Sequence, residues 1–179
     1  LTGDLPVTQT FMLFMGKNRP NGAQLTWANF EGADALEFVA NPVTDSGVNM
    51  SDTVAKAVIS QGAKEWAGFQ TTGLASFKLD SSNAIIKIMV YKDTISPVGI
   101  KLEQKNGVNP DGSDAMGSAG EIKVANTKIN EWEELTFDFS SQIDHAETQH
   151  VDGFVVFPDF TARTGETVNY FDNITFNAQ

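Results

Sequence analysis

From residue 27 onward, short apolar runs recur along the chain, each bounded by clusters of Gly, Asn, Asp and Ser. The stretches 36–40, 54–59, 75–79, 85–91, 98–103, 121–125, 134–139, 153–157 and 168–176 are strand-sized and rich in β-branched and aromatic residues, which favours strand over helix. Several alternate with a period of two. Ile86, Ile88 and Val90 fall on one face, with Lys87, Met89 and Tyr91 on the other. Ile100 and Leu102 oppose Lys101 and Glu103, and Leu135, Phe137 and Phe139 oppose Thr136 and Asp138. Such alternation describes sheets with one buried and one wetter face. Only 52–59 also fits a short helix, capped by Ser51 or Asp52, and strand ranks first there. The expected architecture is all-β: a jelly-roll β-sandwich of two antiparallel sheets. Residues 1–28 read as an N-terminal strand or arm and 29–179 as the sandwich, in a single domain overall. Residues 104–120 form a long Gly/Asn/Asp-rich loop, either a binding loop or a tolerated insertion.

Composition narrows the chemistry. The chain has 179 residues, enough to bury a core without disulfide staples, and it has no cysteine. Thiolate catalysis and sulfur-ligated metal sites are thereby excluded. Phenylalanine is abundant (13) beside three Trp and two Tyr, so most Phe rings are expected in the core and the Trp and Tyr at wetter positions. The net charge of −11 repels phosphate backbones and makes nucleic acid a poor partner. It also favours a neutral glycan over a polyanionic one. No apolar run approaches a bilayer span; residues 11–15 are far too short, so no membrane insertion is expected. The chain starts at Leu1, and any export signal is expected to lie outside it.

Motifs in chain order then suggest a relationship. NFEG (29–32), NPVTDSGVNMSDTVAKAV (41–58), EWAG (65–68), KIMVYKD (87–93), PVGIKLE (97–103), WEELTFDFS (132–140), DGFVVFPDF (152–160) and YFDNITF (170–176) together resemble family 4-like, galactose-binding-like carbohydrate-binding modules of marine polysaccharide-degrading Bacteroidetes. The resemblance runs from about Asn29 to Phe176. It implies a jelly-roll module of a larger secreted or cell-surface protein, a structural calcium ion, and capture of polysaccharide without cleavage. Laminarin, a β-1,3-glucan, is the expected ligand, with alginate, agar and β-mannan left open.

Calcium takes six to eight oxygen ligands. Glu31, at the start of the resembling region, and Asp172, in its last strand, are the expected metal pair, with Asp52 and Asn49 supplying further oxygens from the 41–52 loop. Sugar rings pack their C–H faces on flat aromatic rings while hydroxyls seek polar side chains. Trp66 beside Phe69, Tyr91 sharing a face with Lys87, and Lys101 with Glu103 on a neighbouring strand form the expected ligand-binding set. Trp27 is a further candidate platform, whereas Trp132 and the Phe157–Asp159 motif read as structural. No catalytic residue is expected. His145 and His150 share neither a strand nor a helix face, and no Walker loop, dinucleotide fingerprint or metalloprotease motif occurs. The rival readings are a small polysaccharide lyase or glycoside hydrolase, and a calcium-rigidified adhesion module of a surface protein.

Overall fold

A computed structural model describes residues 11–13, 26–72, 74–106 and 116–176. The alternation legible in 85–91 is carried through β6 (Ile85–Lys92), where Ile86, Ile88 and Val90 are buried and Lys87, Met89 and Tyr91 face outward. The remaining strands among the described residues are β1 (Phe11–Leu13), β2 (Thr26–Phe30), β3 (Glu37–Ala40), β4 (Thr53–Ile59), β5 (Gly68–Thr72), β7 (Pro97–Glu103), β8 (Glu121–Ala125), β9 (Trp132–Asp138), β10 (Gly153–Phe157) and β11 (Thr167–Phe176). They build an all-β jelly-roll sandwich. Sheet I has the order β3-β4-β11-β6-β9, with β1 added against β11; sheet II has the order β2-β5-β10-β7-β8. Every strand pairing is antiparallel.

The core lies between the sheets. Ala55, Ala57, Ile59, Ile86, Ile88, Val90, Leu135, Phe137 and Phe171 from sheet I meet Phe69, Val98, Ile100, Leu102, Phe154 and Val156 from sheet II. Burying each large side chain contributes roughly 1.5–3 kcal/mol, and this drives closure of the sandwich. In β11 the period breaks: Phe171 and Ile174 are both core residues, because a bulge between Asp172 and Thr175 inserts a residue, with Asn173 at φ 47°.

Three sequence expectations change here. Residues 75–79 do not form a strand; Phe77 makes only an isolated bridge to Val151, while Leu79 is buried. Gly68–Thr72, unmarked in the sequence, is an interior strand of sheet II. The arm-to-sandwich boundary at residue 28 falls inside β2, and β1 from the arm pairs with β11.

One end of the sandwich is fastened by a buried polar network. Lys92 and Asp159 are each 1% exposed. The Lys92 ammonium donates to the Pro158 carbonyl (2.7 Å) and to the Ser96 hydroxyl, which in turn donates to Asp159. Asp159 also accepts from Thr167 (2.9 Å) and Arg163 Nε (3.3 Å). Arg163 reaches on to the carbonyls of Ala63 and Lys64 (3.1 and 2.9 Å). The structural reading of the Phe157–Asp159 motif agrees with this, since Asp159 joins β6, the 93–96 crossover and the β10–β11 connection.

Candidate functional site

The outer face of sheet II is where aromatic rings and polar side chains converge. Register sets its layout. In one row across the strands, Phe30 lies opposite Gly68, Phe157 opposite Gly99, and Gly99 opposite Lys123. The next row is Ala28, Gln70, Val155, Lys101 and Glu121, and the third pairs Gly153 with Glu103. The two glycines in the first row have a steric cause. A Cβ on Gly99 would come within 2.9 Å of the Phe157 ring, and one on Gly68 within 2.5 Å of the Val156 carbonyl oxygen. Without side chains there, Phe157 lies low on the sheet between its neighbours.

The first row and its flanking loops are therefore aromatic. Phe30 packs edge-on against Phe157 (5.9 Å between centroids), and Phe160 against the other side of Phe157 (5.1 Å). Lys123 Nζ stands 3.6 Å from the Phe160 centroid, a cation–π contact. Trp66 lies just before Gly68, opposite Phe30, and is 47% exposed with Lys64 Nζ 5.9 Å from its ring. The second and third rows are charged. Glu103 sits between Lys101 and Lys105, 3.2 Å from each ammonium. Lys105 also donates to Gln70 Oε1 (3.2 Å), and its stem passes over Gly153. Beyond them the long loop begins. Asp152 accepts from the Lys105 and Asn106 amides (2.7 and 2.9 Å), and Gln104 bridges Gly117, closing the loop's base at the Glu103 end. Residues 107–115 of that loop lie outside the described residues. The face thus runs from an apolar, ring-lined end to an array of donors and acceptors, which suits ring stacking and hydroxyl recognition.

The expected ligand residues divide among four places. Lys101 and Glu103 are on this face, and Trp66 is at its edge. Phe69 points the other way and is fully buried in the core. Trp27 also turns inward, packing edge-on against Phe154 (5.6 Å) and Phe171 (5.8 Å), so it is no exposed platform. Tyr91 and Lys87 lie on the outer face of sheet I, across the sandwich from Lys101 and Glu103. Their expected adjacency fails because residues 93–96 cross from one sheet to the other. Sequence reasoning missed Phe30, Phe160, Gln70, Lys105 and Lys123. Phe30 and Phe160 stood in recognised motifs but were assigned by composition to the core.

The metal candidates separate as well. Ala33, next to the turn holding Glu31, bridges Ile59 at one end of β4, whereas Phe171, next to Asp172, pairs with Ala55 toward the other. Four residues of strand, roughly 13 Å, intervene. Asp172 does meet Asn49, but through the Asn49 amide, whose Nδ2 donates to Asp172 Oδ2 (3.1 Å). The Asn49 carbonyl oxygen is already engaged by the Ser51 amide (3.0 Å). The Asp52 side chain is exposed, and its backbone oxygen accepts from Asn41. Among the described residues no group of three or more Asp, Glu or His converges. Glu31 and Asp172 thus do not form one site, and the Asp172–Asn49 contact alone supplies fewer oxygens than the six to eight that calcium takes. Dialysis against EDTA decides the matter: loss of a tightly bound structural ion would lower Tm by several degrees, and a Tm within about 1 °C of the untreated value would speak against one. Differential scanning calorimetry with and without added calcium measures this.

Asp138 and Glu133 have carboxyl pKa values held below the usual range. Hydrogen bonds from Ser140 do this for Asp138; for Glu133, those from Thr127 and Lys128 outweigh a desolvation cost. Both sit at the ends of β9 and bind amides of the adjoining loops, not a reacting centre. His145 precedes a short 3-10 turn, and the His150 amide donates to Gln104 Oε1 (2.7 Å).

Comparison with known proteins gives no matching family model and no match among curated sequences. Solved structures do match. A family 11 carbohydrate-binding module from Clostridium thermocellum, in complex with a β-1,3-1,4-mixed-linked tetrasaccharide, is 15% identical with a TM-score of 0.54, over 94% of this chain and 95% of that one. The family 11 module of a cellulosomal cellulase from the same organism is 14% identical with a TM-score of 0.55, covering 96% and 95%. An arabinose-bound family 51 α-L-arabinofuranosidase is 16% identical with a TM-score of 0.57, over 84% of this chain, which spans only 23% of that enzyme. The chain has the β-sandwich fold of carbohydrate-binding modules.

Proposed function

We propose that this domain binds polysaccharide without cleaving it, along the outer face of sheet II, and that its preferred ligand is a neutral β-glucan, β-1,3-linked as in laminarin. The observation that carries the reading is the graded face itself: the partly exposed rings of Phe30 and Phe160, braced on the buried Phe157, at one end, and Lys101, Glu103, Lys105 and Gln70 beside them. Pyranose rings have apolar faces for the first group and hydroxyls for the second. Glu103 at the centre of the array accepts hydrogen bonds from hydroxyls, and the net charge of −11 favours an uncharged chain. The structure matched from Clostridium thermocellum in complex with a mixed-linked glucan supports a β-glucan, on fold likeness alone. We favour binding over hydrolysis because the solved structures matched over nearly their whole length are carbohydrate-binding modules, a support that rests on fold likeness. We place the domain outside the cell or on its surface, as one module of a larger protein. No helix among the described residues is long and apolar enough to cross a membrane.

Native affinity gels of the domain against laminarin, mixed-linkage glucan, alginate, agarose and galactomannan test this. Retardation by laminarin is the expected result, with a Kd on the order of micromolar to millimolar because an exposed face buries little area. Retardation by alginate alone would refute the neutral-chain assignment. New reducing ends or unsaturated uronates after incubation would replace binding with catalysis.

A further inference from the structure

The outer face of sheet I carries a second constellation that the site above does not use. Five outward side chains follow one another in direct register across the whole sheet: Glu37 opposite Lys56, Lys56 opposite Tyr170, Tyr170 opposite Tyr91, and Tyr91 opposite Trp132. The Tyr170 and Tyr91 rings are 5.7 Å apart and nearly perpendicular, and Tyr91 is 5.7 Å from Trp132. Trp132 is 1% exposed, fixed by its Nε1–H donating to Asn41 Oδ1 (2.9 Å) beneath the segment that joins β3 to β4. Both tyrosines, in contrast, remain partly exposed, and neither phenol has a hydrogen-bond partner among the described residues.

Residue choice is informative here. The chain has 13 phenylalanines and two tyrosines, and both tyrosines stand side by side in this row. Packing alone needs only a ring, which Phe supplies without a hydroxyl to satisfy. A phenol at a partly exposed position adds a donor and acceptor beside an apolar ring, the pairing that a sugar contacts with its C–H face and its hydroxyls. The flanking charges are balanced, Lys56 with Glu37 (3.2 Å) and Lys87 with Glu134 (3.0 Å), so the face favours neither anion nor cation. Strand spacing of about 4.8 Å sets the pitch of the row.

We propose that Tyr170 and Tyr91, flanked by Lys56, form a second contact for a neutral glycan, independent of sheet II and on the opposite side of the sandwich. The class of ligand rests on the polysaccharide-binding reading above. Two faces on one module give a long polymer two points of attachment, and avidity without a tighter site.

Tyrosine-selective 13C NMR isolates this face, because both tyrosines of the protein lie here and none on sheet II. Laminarihexaose is titrated into the wild type and into a Lys101→Ala/Glu103→Ala variant. Both tyrosine ring signals are expected to shift in each protein, saturating at similar concentrations. A Tyr91→Phe/Tyr170→Phe variant, whose Tm stays at the wild-type value, is expected to bind at this face about tenfold more weakly, read from the Lys56 and Glu37 amides. Tyrosine signals that stay still while the Lys101 and Glu103 amides move would overturn the second contact and leave the function standing. Tyrosine shifts lost in the sheet II variant would overturn its independence. No shift on either face at millimolar sugar would overturn both.

Discussion

Replacing Asp159 with alanine is expected to destabilise the domain by about 3–5 kcal/mol, because it strands two buried cations. Lys92 and Arg163 both rely on this carboxylate, and their side chains are 1% and 3% exposed. Thermal unfolding is expected to show a fall in Tm of roughly 10 °C or more. Asp159→Asn keeps the shape and some acceptor capacity and is expected to fall between. A loss below about 1 kcal/mol would mean that the network contributes little. The same network sets a pH dependence with a definite sign. Burial lowers the Lys92 pKa from 10.5 to about 8, against the opposing pull of Asp159. Because the folded pKa lies below the unfolded one, stability from this group grows as pH rises from about 8 toward 10.5, by about 3 kcal/mol at most. Desolvation is the largest single influence on Asp159 and raises its pKa, but Ser96, Lys92, Thr167 and Arg163 together outweigh it and hold the carboxyl below the usual range. Its contribution is therefore lost as pH falls through its folded pKa. Urea titrations of the wild type against Lys92→Met at pH 7 and pH 10 separate the lysine from the rest: the wild type should gain on the variant at pH 10.

Glu103→Ala is expected to weaken laminarin binding by about tenfold to a hundredfold, the range for losing a hydrogen bond to a charged group. It removes the acceptor at the centre of the face and frees Lys101 and Lys105 to move. Stability should change by no more than about 1 kcal/mol, since these are partly solvated ion pairs. Isothermal titration alongside melting distinguishes the two effects. Trp66→Ala is the companion variant, expected to weaken binding by removing a ring that contributes little to the fold. Unchanged affinity in both variants would move the ligand off this face.

Periodicity revealed which residues face inward, and it did so well for β6, β7 and β9. Their alternation is strict because each buries one side on the common core. What periodicity does not carry is the sheet to which a strand belongs. β6 and β7 are separated by four residues and read as neighbours, yet residues 93–96 turn the chain across the sandwich. Tyr91 and Lys87 therefore parted from Lys101 and Glu103, and one expected site became two faces. β5 escaped notice because Gly-Phe-Gln-Thr-Thr has a single large apolar residue. Phe69 fills the core position, and Gly68 is small because a Cβ there would meet the Val156 carbonyl oxygen. The 75–79 run shows the converse: its apolar residues bury Leu79 without a ladder of hydrogen bonds. Phe30 and Phe160 were hidden by composition, since an abundant Phe suggests interior, and only register shows them outside. The Glu31–Asp172 pair parted because Glu31 follows β2 in sheet II, whereas Asp172 lies on β11 in sheet I.

The most direct test of the central claim is a titration of laminarihexaose into 15N-labelled domain, followed by amide chemical shifts. The account predicts saturable shifts at Phe30, Gln70, Lys101, Glu103 and Val155, contiguous across β2, β5, β10 and β7. A titration to millimolar sugar that leaves all five unmoved would contradict it.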